Sequence, residues 1–369
     1  MNAPKVLHIS TAKTWRGGEQ QIAYLMQELR NKQIDQFTFC IQDGAFHDFC
    51  VKNNFIATPF KKGFSINPLV AAKLKKAVKA LNINIIHCHD SHAHTFAYMA
   101  VRLFGLDCPI IVSRRVDFPI KSSKLSHWKY KHPSIKRILC VSDQIKEIIK
   151  KDVPDHGHIH TVYSGIDLSK FKHSKTDILR TEYNIPSSSP IVVNIGALAD
   201  HKDQITFVQT INILRQRIPN LRAFIIGKDQ GEQVHIEEEI KRLKLKEYID
   251  LTGFRSDVPL ILPHADIFLF TSKTEGLGTS ILDAFASGLA VVATPAGGIP
   301  ELVINKKTGL LGKVKDPSKL AELAMEMIQN NALRQKLIEG AKAHVLKFSK
   351  ENTAKNTLRH YREILDQSS

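Results

Sequence analysis

The sequence predicts an α/β protein of two domains, each built on a parallel β-sheet covered by helices. Short runs rich in β-branched residues alternate with amphipathic segments, which is the pattern of parallel strands joined by crossover helices. The pattern stops at a polar segment, residues 170–189, and then starts again. A chain of 369 residues is long enough for two cores of roughly 150 to 200 residues each. We therefore place a domain boundary near residues 165 to 175.

The expected strands and the last helix follow from these runs in order. The first domain has strand-like runs at 6–9, 37–41, 83–87, 110–112 and 137–141. The second domain has them at 191–195, 222–226, 267–270 and 289–293. The final segment, 351–366, carries apolar residues at 354, 358, 361, 364 and 365, the spacing of an amphipathic helix. The predicted domains are therefore 1–168 and 169–348, followed by a C-terminal helical segment, 349–369.

Composition and charge narrow the class of protein. No uninterrupted apolar run of about 18 residues is present, and the N-terminus has no long apolar signal core, so we expect a cytoplasmic protein. The five cysteines have no paired close spacing and are expected to be reduced thiols. The net charge of +16 is concentrated in residues 1–165, which hold 24 Lys and Arg against 12 Asp and Glu. Such a field attracts anionic lipid, nucleic acid or phosphorylated substrate, although general solubility would also explain it.

The most informative segment is 274–312. It places the carboxylate of Glu275 before Gly276-Leu277-Gly278, which leads into a helix start at Thr279-Ser280, with Asp283 expected in the first turn. Small residues let a phosphate approach the backbone, and a helix N-terminus offers unpaired N–H groups to an anion. Carboxylates on either side can accept hydrogen bonds from hydroxyls. The pattern fits a polyol–diphosphate–polyol ligand, which is the layout of a nucleotide-sugar.

These residues resemble the donor-site signature of retaining glycosyltransferases of family 4, in which two acidic residues are separated by seven others. The resemblance implies the GT-B fold, two Rossmann-like doubly wound domains facing across a cleft, with the last helix crossing back to the first domain. It also implies that Glu275 contacts the donor sugar and that Asp283, where the family usually has Glu, contacts the ribose. The glycines, Leu277, Thr279 and Ser280 would bind the donor diphosphate.

A second motif, 194–203, follows the first strand of the second domain. It resembles the family's phosphate loop, in which an Arg after the glycine and a Lys five residues beyond it hold the diphosphate. Here Gly196 and Lys202 are present, whereas the Arg position is Ala197. Lysine supplies a point charge without the bidentate fork of arginine, so the clamp is expected to be weaker or completed from elsewhere. Lys202 and Glu275 are the predicted catalytic residues.

The first domain offers a glycine-rich segment at 15–19. Gly17 and Gly18 are expected in a loop between the first strand and a helix over 20–29, and they resemble the family's loop that approaches phosphate or acceptor. Glycine pairs in turns are common, so the segment is informative mainly through its position. Arg16 is a candidate for the positive charge missing at Ala197.

Histidines and arginines at two further strand ends are candidate acceptor or cleft residues. The cluster at 87–94 contains four histidines; metal binding is one interpretation, but the strand-end position favours substrate contact by His89 or His92. Most of these histidines are expected to be solvated. Arg114 and Arg115 follow the next strand and suit a phosphorylated or carboxylated acceptor, whereas a surface pair or a salt bridge to Asp117 would explain them equally well.

Two basic stretches are candidates for a membrane-surface contact. One contains Lys73, Lys75, Lys76 and Lys79 on an apparent helix. The other runs over 121–137 and includes Trp128 and Tyr130. Basic residues beside aromatic residues are typical of peripheral membrane contacts, although a solvated helix face is the commoner explanation.

The sequence thus predicts a retaining glycosyltransferase that moves a sugar from a nucleoside diphosphate-sugar to a glycan or lipid-linked hydroxyl acceptor, in lipopolysaccharide or other cell-envelope glycan synthesis. No metal or other cofactor is expected, and an anionic membrane on the cytoplasmic side is an expected partner. An epimerase or a sugar phosphorylase of the same architecture remains an alternative. A nucleic-acid-binding protein would need a recognised module or basic residues interleaved with stacking aromatic residues, and the sequence shows neither. A dinucleotide oxidoreductase would need the spaced glycine fingerprint after the first strand, where this sequence has Trp-Arg-Gly-Gly.

Overall fold

The computed structural model describes residues 3–367 except 62, 64, 65, 121, 122, 154 and 172–176. Its internal contacts divide the chain into two compact units. The first ends at Gly165 and takes up the last helix from Lys350, and the second spans Ile166–Ser349. Each unit contains one parallel sheet, so the predicted α/β class is confirmed. Residues 121 and 122 of the second basic stretch and residues 172–176 of the polar segment 170–189 lie outside the described residues.

The first unit contains a seven-stranded parallel sheet in the order β3-β2-β1-β4-β5-β6-β7. Its strands are β1 Lys5–Ser10, β2 Asp35–Ile41, β3 Ile56–Phe60, β4 Ile85–Cys88, β5 Ile110–Arg114, β6 Ile135–Cys140 and β7 Ile159–Thr161. The predicted runs correspond to β1, β2, β4, β5 and β6. Strand β3 was missed because it contains Pro59, which cannot donate to a ladder and is tolerated here at the sheet edge.

Seven helices cover this sheet among the described residues. They are α1 Gly17–Asn31, α2 Ala45–Lys52, α3 Pro68–Ala80, α4 Ser91–Phe104, α5 Lys124–Lys131, α6 Asp143–Lys150 and, from the end of the chain, α15 Lys350–Asp366. The apolar stripe of α15 is buried with residues of β1, β4, β5 and β6, and Tyr361 is fully buried. The predicted amphipathic helix is therefore part of the first unit's core. None of the described helices has the length and apolar character that crossing a bilayer requires.

The second unit contains a six-stranded parallel sheet in the order β10-β9-β8-β11-β12-β13. Its strands are β8 Ile191–Ile195, β9 Arg222–Ile226, β10 Ile249–Gly253, β11 Ile267–Phe270, β12 Ala290–Ala293 and β13 Leu310–Leu311. Its helices are α7 Ile178–Glu182, α8 Gln204–Leu214, α9 Gln233–Arg242, α10 Val258–Ile261, α11 Thr279–Ala286, α12 Ile299–Leu302, α13 Pro317–Gln329 and α14 Asn331–Val345. Short 3-10 turns lie at Leu168–Lys170, Asp200–Lys202, Leu262–His264 and Leu346–Phe348.

The strand orders show where each unit is suited to bind a ligand. In the first sheet the direction of strand succession reverses between β1 and β4, and in the second it reverses between β8 and β11. In open parallel sheets ligands bind beyond the carboxyl ends of the strands at such a switch point. The predicted motifs at 194–203 and 274–283 follow β8 and β11, and those at 15–19 and 87–94 follow β1 and β4. Each switch point is therefore flanked by two predicted motifs.

Candidate functional site

Two adjacent loops of the second unit are fastened together at its switch point. The N–H of Lys273 donates to the carbonyl of His201 over 2.8 Å. The Thr271 hydroxyl donates to the carbonyl of Asp203 over 2.9 Å, and the Lys273 ammonium pairs with Asp200 at 2.6 Å. These bonds join the loop after β8 to the loop after β11, so the side chains that the two loops carry are held in a fixed relation.

The two predicted catalytic residues contact each other directly across these loops. The Lys202 ammonium forms a salt bridge with Oε1 of Glu275, which also accepts a hydrogen bond of 2.8 Å from the Ser272 hydroxyl. Glu275 is 9% exposed, and Lys202 Nζ lies 5.4 Å from the centre of the Phe270 ring. Sequence analysis gave Lys202 and Glu275 separate roles, and it missed both their contact and Ser272.

This arrangement leaves capacity for a ligand on both partners. A lysine ammonium has three N–H donors, and a carboxylate has two oxygens. Among the described residues, hydrogen bonds to the Glu275 carboxylate reach Oε1 and none reaches Oε2. A cation and a partly unsatisfied carboxylate, side by side at a strand end, can bind a diphosphate and a neighbouring hydroxyl together.

The loop after β12 packs against the backbone of Glu275. Gly297 has φ of +53°, and a Cβ built there would lie 1.8 Å from the carbonyl oxygen of Glu275. The N–H of Gly298 donates to that same oxygen over 3.2 Å. Gly297 is therefore a packing requirement for the backbone that carries the carboxylate, because a side chain at this position would displace it.

The N-terminus of α11 lies just beyond Glu275 in the chain and is open. Its N-cap is Gly278 with φ of +86°, and no side chain caps the first turn. Thr279 and Ser280 are partly exposed and occupy the first two helical positions. Unpaired N–H groups and the helix dipole at such an end attract an anion. The predicted helix start is therefore present, with its first-turn donors free of side-chain caps.

Asp283 lies in the second turn of α11, one position beyond the first turn that the sequence suggested. Burial raises the pKa of its carboxyl to about 7, and Lys170 only partly opposes this rise. Among the described residues no group donates a hydrogen bond to the carboxylate. Its surroundings therefore supply little of the solvation that an ionised carboxylate needs, and a hydroxyl-bearing ligand would supply it.

We expect Asp283→Asn to stabilise the protein at alkaline pH and to have little effect under acidic conditions. Because the folded pKa is raised, ionisation of Asp283 opposes folding; this cost is absent below the unfolded pKa near 4, grows as pH rises, and is complete above about 7. The gain at about pH 8 should be about 1 to 3 kcal/mol, discounted for partial exposure. Urea unfolding at about pH 4 and pH 8 measures it, and a gain independent of pH would contradict the burial argument.

In the first unit, the glycine pair occupies the start of α1 instead of a preceding loop. The helix begins at Gly17, and the N–H of its N-cap Arg16 donates to the Glu19 carboxylate over 3.0 Å. No atom lies within 4 Å of where a Cβ at Gly17 or Gly18 would stand, and the Arg16 side chain is exposed. The pair therefore lies in the first turn of α1 and not in a loop, and the space at both Cβ positions is open.

The expectation that most histidines of the 87–94 cluster are solvated is wrong. His87, His89 and His94 are buried, and His92 alone of the four is exposed. The signal was present in the sequence, because His87 lies within the apolar run of β4 and His94 falls on the buried face of α4. His94 bonds to the carbonyl of Lys129 over 3.0 Å and has a structural role.

His87 and His89 form a buried cluster with His8, a β1 residue that sequence analysis passed over. His8 Nδ1 lies 3.0 Å from His89 Nε2, and His87 bonds to the hydroxyls of Tyr361 at 2.6 Å and Ser113 at 2.8 Å. Burial lowers the pKa of His8 to about 4 and holds the pKa values of His87 and His89 well below the usual range. The three imidazoles are therefore neutral hydrogen-bonding groups.

The geometry of the histidine cluster also matters for metal binding. Nitrogens of His8, His87 and His89 lie within 4.8 Å of one another, and neutral imidazole is a metal ligand. However, both nitrogens of His87 and one nitrogen each of His8 and His89 already take part in protein hydrogen bonds. A metal ion held by all three imidazoles would have to break at least one bond of His87, whereas His8 Nε2 and His89 Nδ1 are buried without a hydrogen-bond partner among the described residues.

The two arginines after β5 have different surroundings. Arg114 is buried; it donates to the Tyr130 hydroxyl over 3.3 Å and to the carbonyl of Phe118, and its guanidinium lies 4.9 Å from the Phe118 ring centre. These contacts fasten the loop after β5 and helix α5. Arg114 therefore supports the fold of the first unit.

The guanidinium of Arg115 has few hydrogen-bond partners. It donates a long hydrogen bond of 3.4 Å to Ser164, and its buried Nε has no partner among the described residues. Burial lowers its pKa to about 10, which the Glu19 charge only partly offsets. The Nε of Arg114 is also buried without a partner, but its other guanidinium nitrogens bond to Tyr130 and Phe118. Sequence analysis weighed Arg114 and Arg115 as a pair; with only the long bond to Ser164, Arg115 is the guanidinium better suited to an incoming anion.

Each of the two units matches a known protein family. Residues 175–344 match the family described as glycosyl transferases group 1, and residues 15–170 match glycosyltransferase family 4. Together these segments contain every predicted site residue.

Individual relatives resemble the chain over most of its length. The Escherichia coli UDP-Gal:α-D-GlcNAc-diphosphoundecaprenol α-1,3-galactosyltransferase is 24% identical, covering 91% of this chain and 92% of its own. The N-acetyl-α-D-glucosaminyl L-malate synthase of Bacillus anthracis is 25% identical over 75% of this chain and 73% of its own. The crystal structure of Anabaena HepE with UDP and glucose superposes with a TM-score of 0.85 at 19% identity, covering 99% of this chain and all of that one; the likeness shows a shared fold.

Proposed function

This chain belongs to the family 4-like GT-B glycosyltransferases, and we propose that it moves a sugar from a nucleoside diphosphate-sugar to a hydroxyl acceptor with retention of configuration. The bond between the anomeric carbon and a diphosphate oxygen breaks, and the diphosphate keeps the electron pair. The acceptor oxygen bonds to that carbon and gives up its proton. The chemistry requires a group that binds diphosphate charge and a group that holds the sugar.

The salt-bridged pair of Lys202 and Glu275, next to the open N-terminus of α11, is the observation that supports this proposal. Charge develops on the diphosphate as it leaves, so fixed cations and N–H donors stabilise the transition state more than the ground state. Lys202 and the first turn of α11 supply them. Glu275 Oε2 is available to a sugar hydroxyl, and Asp283 to the ribose.

We propose an anionic acceptor on the side of the first unit. Arg115 is a cation with an unpaired buried Nε at the carboxyl end of β5, and an anion would complete its hydrogen bonding. Two relatives are named for acceptors with acidic groups, a diphosphoundecaprenol and L-malate. A lipid-linked or other glycan acceptor of the cell envelope fits this chemistry.

A panel of UDP-, GDP- and ADP-sugars, read first as thermal shifts and then as transfer, tests the proposal. We expect one nucleotide to raise the melting temperature and one of its sugars to be transferred to a lipid diphosphate, the product keeping the donor's anomeric configuration by NMR. Isomerisation of free nucleotide-sugar, or phosphate-dependent sugar release without acceptor, would favour an epimerase or a phosphorylase instead. Absence of any nucleotide effect would contradict the donor site.

We expect EDTA to leave transfer unchanged. The charge of the diphosphate is met by Lys202 and the α11 N-terminus, and the buried histidine nitrogens are largely used in protein hydrogen bonds. Activity is measured before and after chelation on protein purified without a histidine tag, with metal content determined in parallel. Stoichiometric zinc or iron that is lost together with activity would overturn this assignment.

We propose that the first unit also docks on anionic membrane, as its charge predicts. The structure refines the test, because Lys73 Nζ donates to the carbonyl of Pro59 and Lys75 Nζ to that of Phe104. Neutralising all four lysines of α3 would therefore remove bonds that hold the fold. Lys76 and Lys79 are exposed, so replacing these two lysines lowers the charge of α3 without removing the bonds of Lys73 and Lys75.

We expect Lys76→Gln with Lys79→Gln to weaken binding to anionic vesicles by roughly three- to 30-fold, because each basic residue near such a surface contributes up to about 1 kcal/mol. Co-sedimentation at low and moderate salt measures the change. If the parent protein ignores anionic vesicles even at low salt, the charge serves solubility or a soluble anionic acceptor, and the membrane proposal fails.

A further inference from the structure

An apolar groove lies on the first unit, between α4, α5 and the segment that leads into α3. Its cavity volume is about 610 Å³, within the range of sites that bind drug-sized ligands. Met99 and Leu103 of α4, Leu125 and Trp128 of α5, and Ile66 before α3 form most of its wall. The sites proposed above for donor and acceptor use none of these residues.

Three apolar side chains that line the groove, and one beside it in α3, are well exposed, whereas Met99 is buried. Trp128 and Leu103 are each 59% exposed and Ile66 is 58% exposed. Leu69, in the first turn of α3, is 80% exposed. Single exposed apolar residues are ordinary, but several on neighbouring elements around a concave surface indicate a binding site.

The residue after Trp128 in α5 is buried and holds this helix in place. Lys129 is 4% exposed, and its ammonium donates to the carbonyl and the hydroxyl of Ser91 and to the hydroxyl of Thr95, at 2.9 to 3.1 Å. These bonds fasten α5 to the first turns of α4. Lys129 therefore anchors α5, and the exposed Trp128 lies on that anchored helix.

Every formal charge that lines the groove is positive. Arg102 and Lys131 line it with exposed side chains, and the lining contains no carboxylate among the described residues. His132 also lines it; partial burial and the nearby Arg102 lower its pKa, and its Nδ1 accepts from the N–H of Ser134. An apolar floor with a tryptophan and a cationic rim complements the boundary between anionic headgroups and hydrocarbon.

We propose that this groove is where the protein inserts into an anionic membrane, with Trp128, Leu103 and Ile66 in the hydrocarbon boundary and Arg102 and Lys131 on headgroup phosphates. This inference deepens the proposed membrane docking and rests on it. It assigns the contact to the α4–α5 face, with the lysines of α3 as flanking charges. A second copy of the chain fits less well, because facing grooves would bring like charges together.

The two tryptophans of the chain allow a direct test. In Trp15→Phe, Trp128 is the sole tryptophan; in Trp128→Phe, Trp15 remains, on the segment before α1. Each variant is mixed with vesicles of phosphatidylcholine and phosphatidylglycerol whose acyl chains carry bromine. We expect Trp128 emission to shift to the blue and to be quenched, and Trp15 emission to be unquenched. Circular dichroism and melting temperature confirm that both variants are folded.

A charge-matched pair of variants tests the rim. Arg102→Gln with Lys131→Gln should weaken partition into anionic vesicles by roughly 10- to 30-fold. Lys306→Gln with Lys307→Gln removes the same charge from exposed positions of the second unit and should change partition by less than about threefold, through net charge alone.

Four results would overturn the inference. These are unquenched Trp128 at low salt, equal quenching on vesicles without anionic lipid, equal effects of the two charge pairs, and a vesicle-independent blue shift that rises with protein concentration and accompanies dimer formation. The last would assign the groove to a second copy. Nucleotide-sugar thermal shifts on the same variants separate this failure from that of the proposed transferase, because the groove residues lie outside the donor site.

Discussion

Glu275→Gln is expected to leave the protein folded and to lower kcat/KM for sugar transfer by at least about 100-fold, or about 2.7 kcal/mol of transition-state stabilisation. Glutamine keeps the size of the side chain and can still accept from Ser272 and Lys202. It removes the negative charge and places an amide where a donor-sugar hydroxyl needs an acceptor. Alanine would be a poorer test, because it would also leave the largely buried Lys202 ammonium without its partner.

The measurement is steady-state transfer, with nucleotide binding followed separately by thermal shift. Glu322→Gln is the matched control, since Glu322 is a carboxylate on the exposed side of α13 that pairs only with Lys319 among the described residues; it should transfer sugar at the parental rate. If Glu275→Gln retains activity within a few-fold of the parent, Glu275 does not hold the donor sugar, and the site must be sought elsewhere.

Much of the fold was predictable because the buried strands are short, apolar and β-branched. The runs at 191–195 and 267–270 could be placed within a residue, since both faces of a central parallel strand are covered and its sequence is apolar except for Asn194 in the first run. Edge strands lack this signal. Ile56–Phe60 contains a proline, and Leu310–Leu311 is too short for any periodicity to show.

The donor site was predictable in composition but not in its contacts. Glycines, a helix start and two carboxylates within a few residues have a local physical meaning, which is why Gly278 and Glu275 could be identified from the sequence. The contact between Glu275 and Lys202 joins residues 73 positions apart. It depends on β8 and β11 being neighbours in the sheet, which periodicity alone does not reveal.

The first-unit site was predicted less well, because its polar residues are buried. His87, His89 and His94 were expected in water on general grounds, since histidine is usually at least partly exposed. Their burial depends on hydrogen bonds from distant elements, such as the Tyr361 hydroxyl on the last helix. Likewise, only the packing of Arg114 against Phe118 and Tyr130 distinguishes it from Arg115.

The second large effect is expected for Lys202→Ala, which should lower kcat/KM by about 2 to 4 kcal/mol, or roughly 30- to 1000-fold. Lys202 is the only residue of the predicted phosphate clamp that carries charge, since Ala197 stands at the arginine position. Its loss removes a donor aimed at the leaving diphosphate. Lys319→Ala, which removes a half-exposed surface lysine, is the control and should leave transfer unchanged.

The salt bridge between Lys202 and Glu275 also predicts how the stability of the protein changes when one or both residues are replaced. Lys202→Ala leaves the Glu275 carboxylate with Ser272 as its remaining described donor, so unfolding free energy should fall by about 1 to 3 kcal/mol. Adding Glu275→Gln should recover part of that loss, because the unpaired charge disappears, whereas activity should not recover. The double-mutant cycle therefore separates the two roles of Lys202. Normal donor binding and turnover in Lys202→Ala would show that the diphosphate is held elsewhere, and Ala197→Arg, expected to tighten donor binding, would then have no effect.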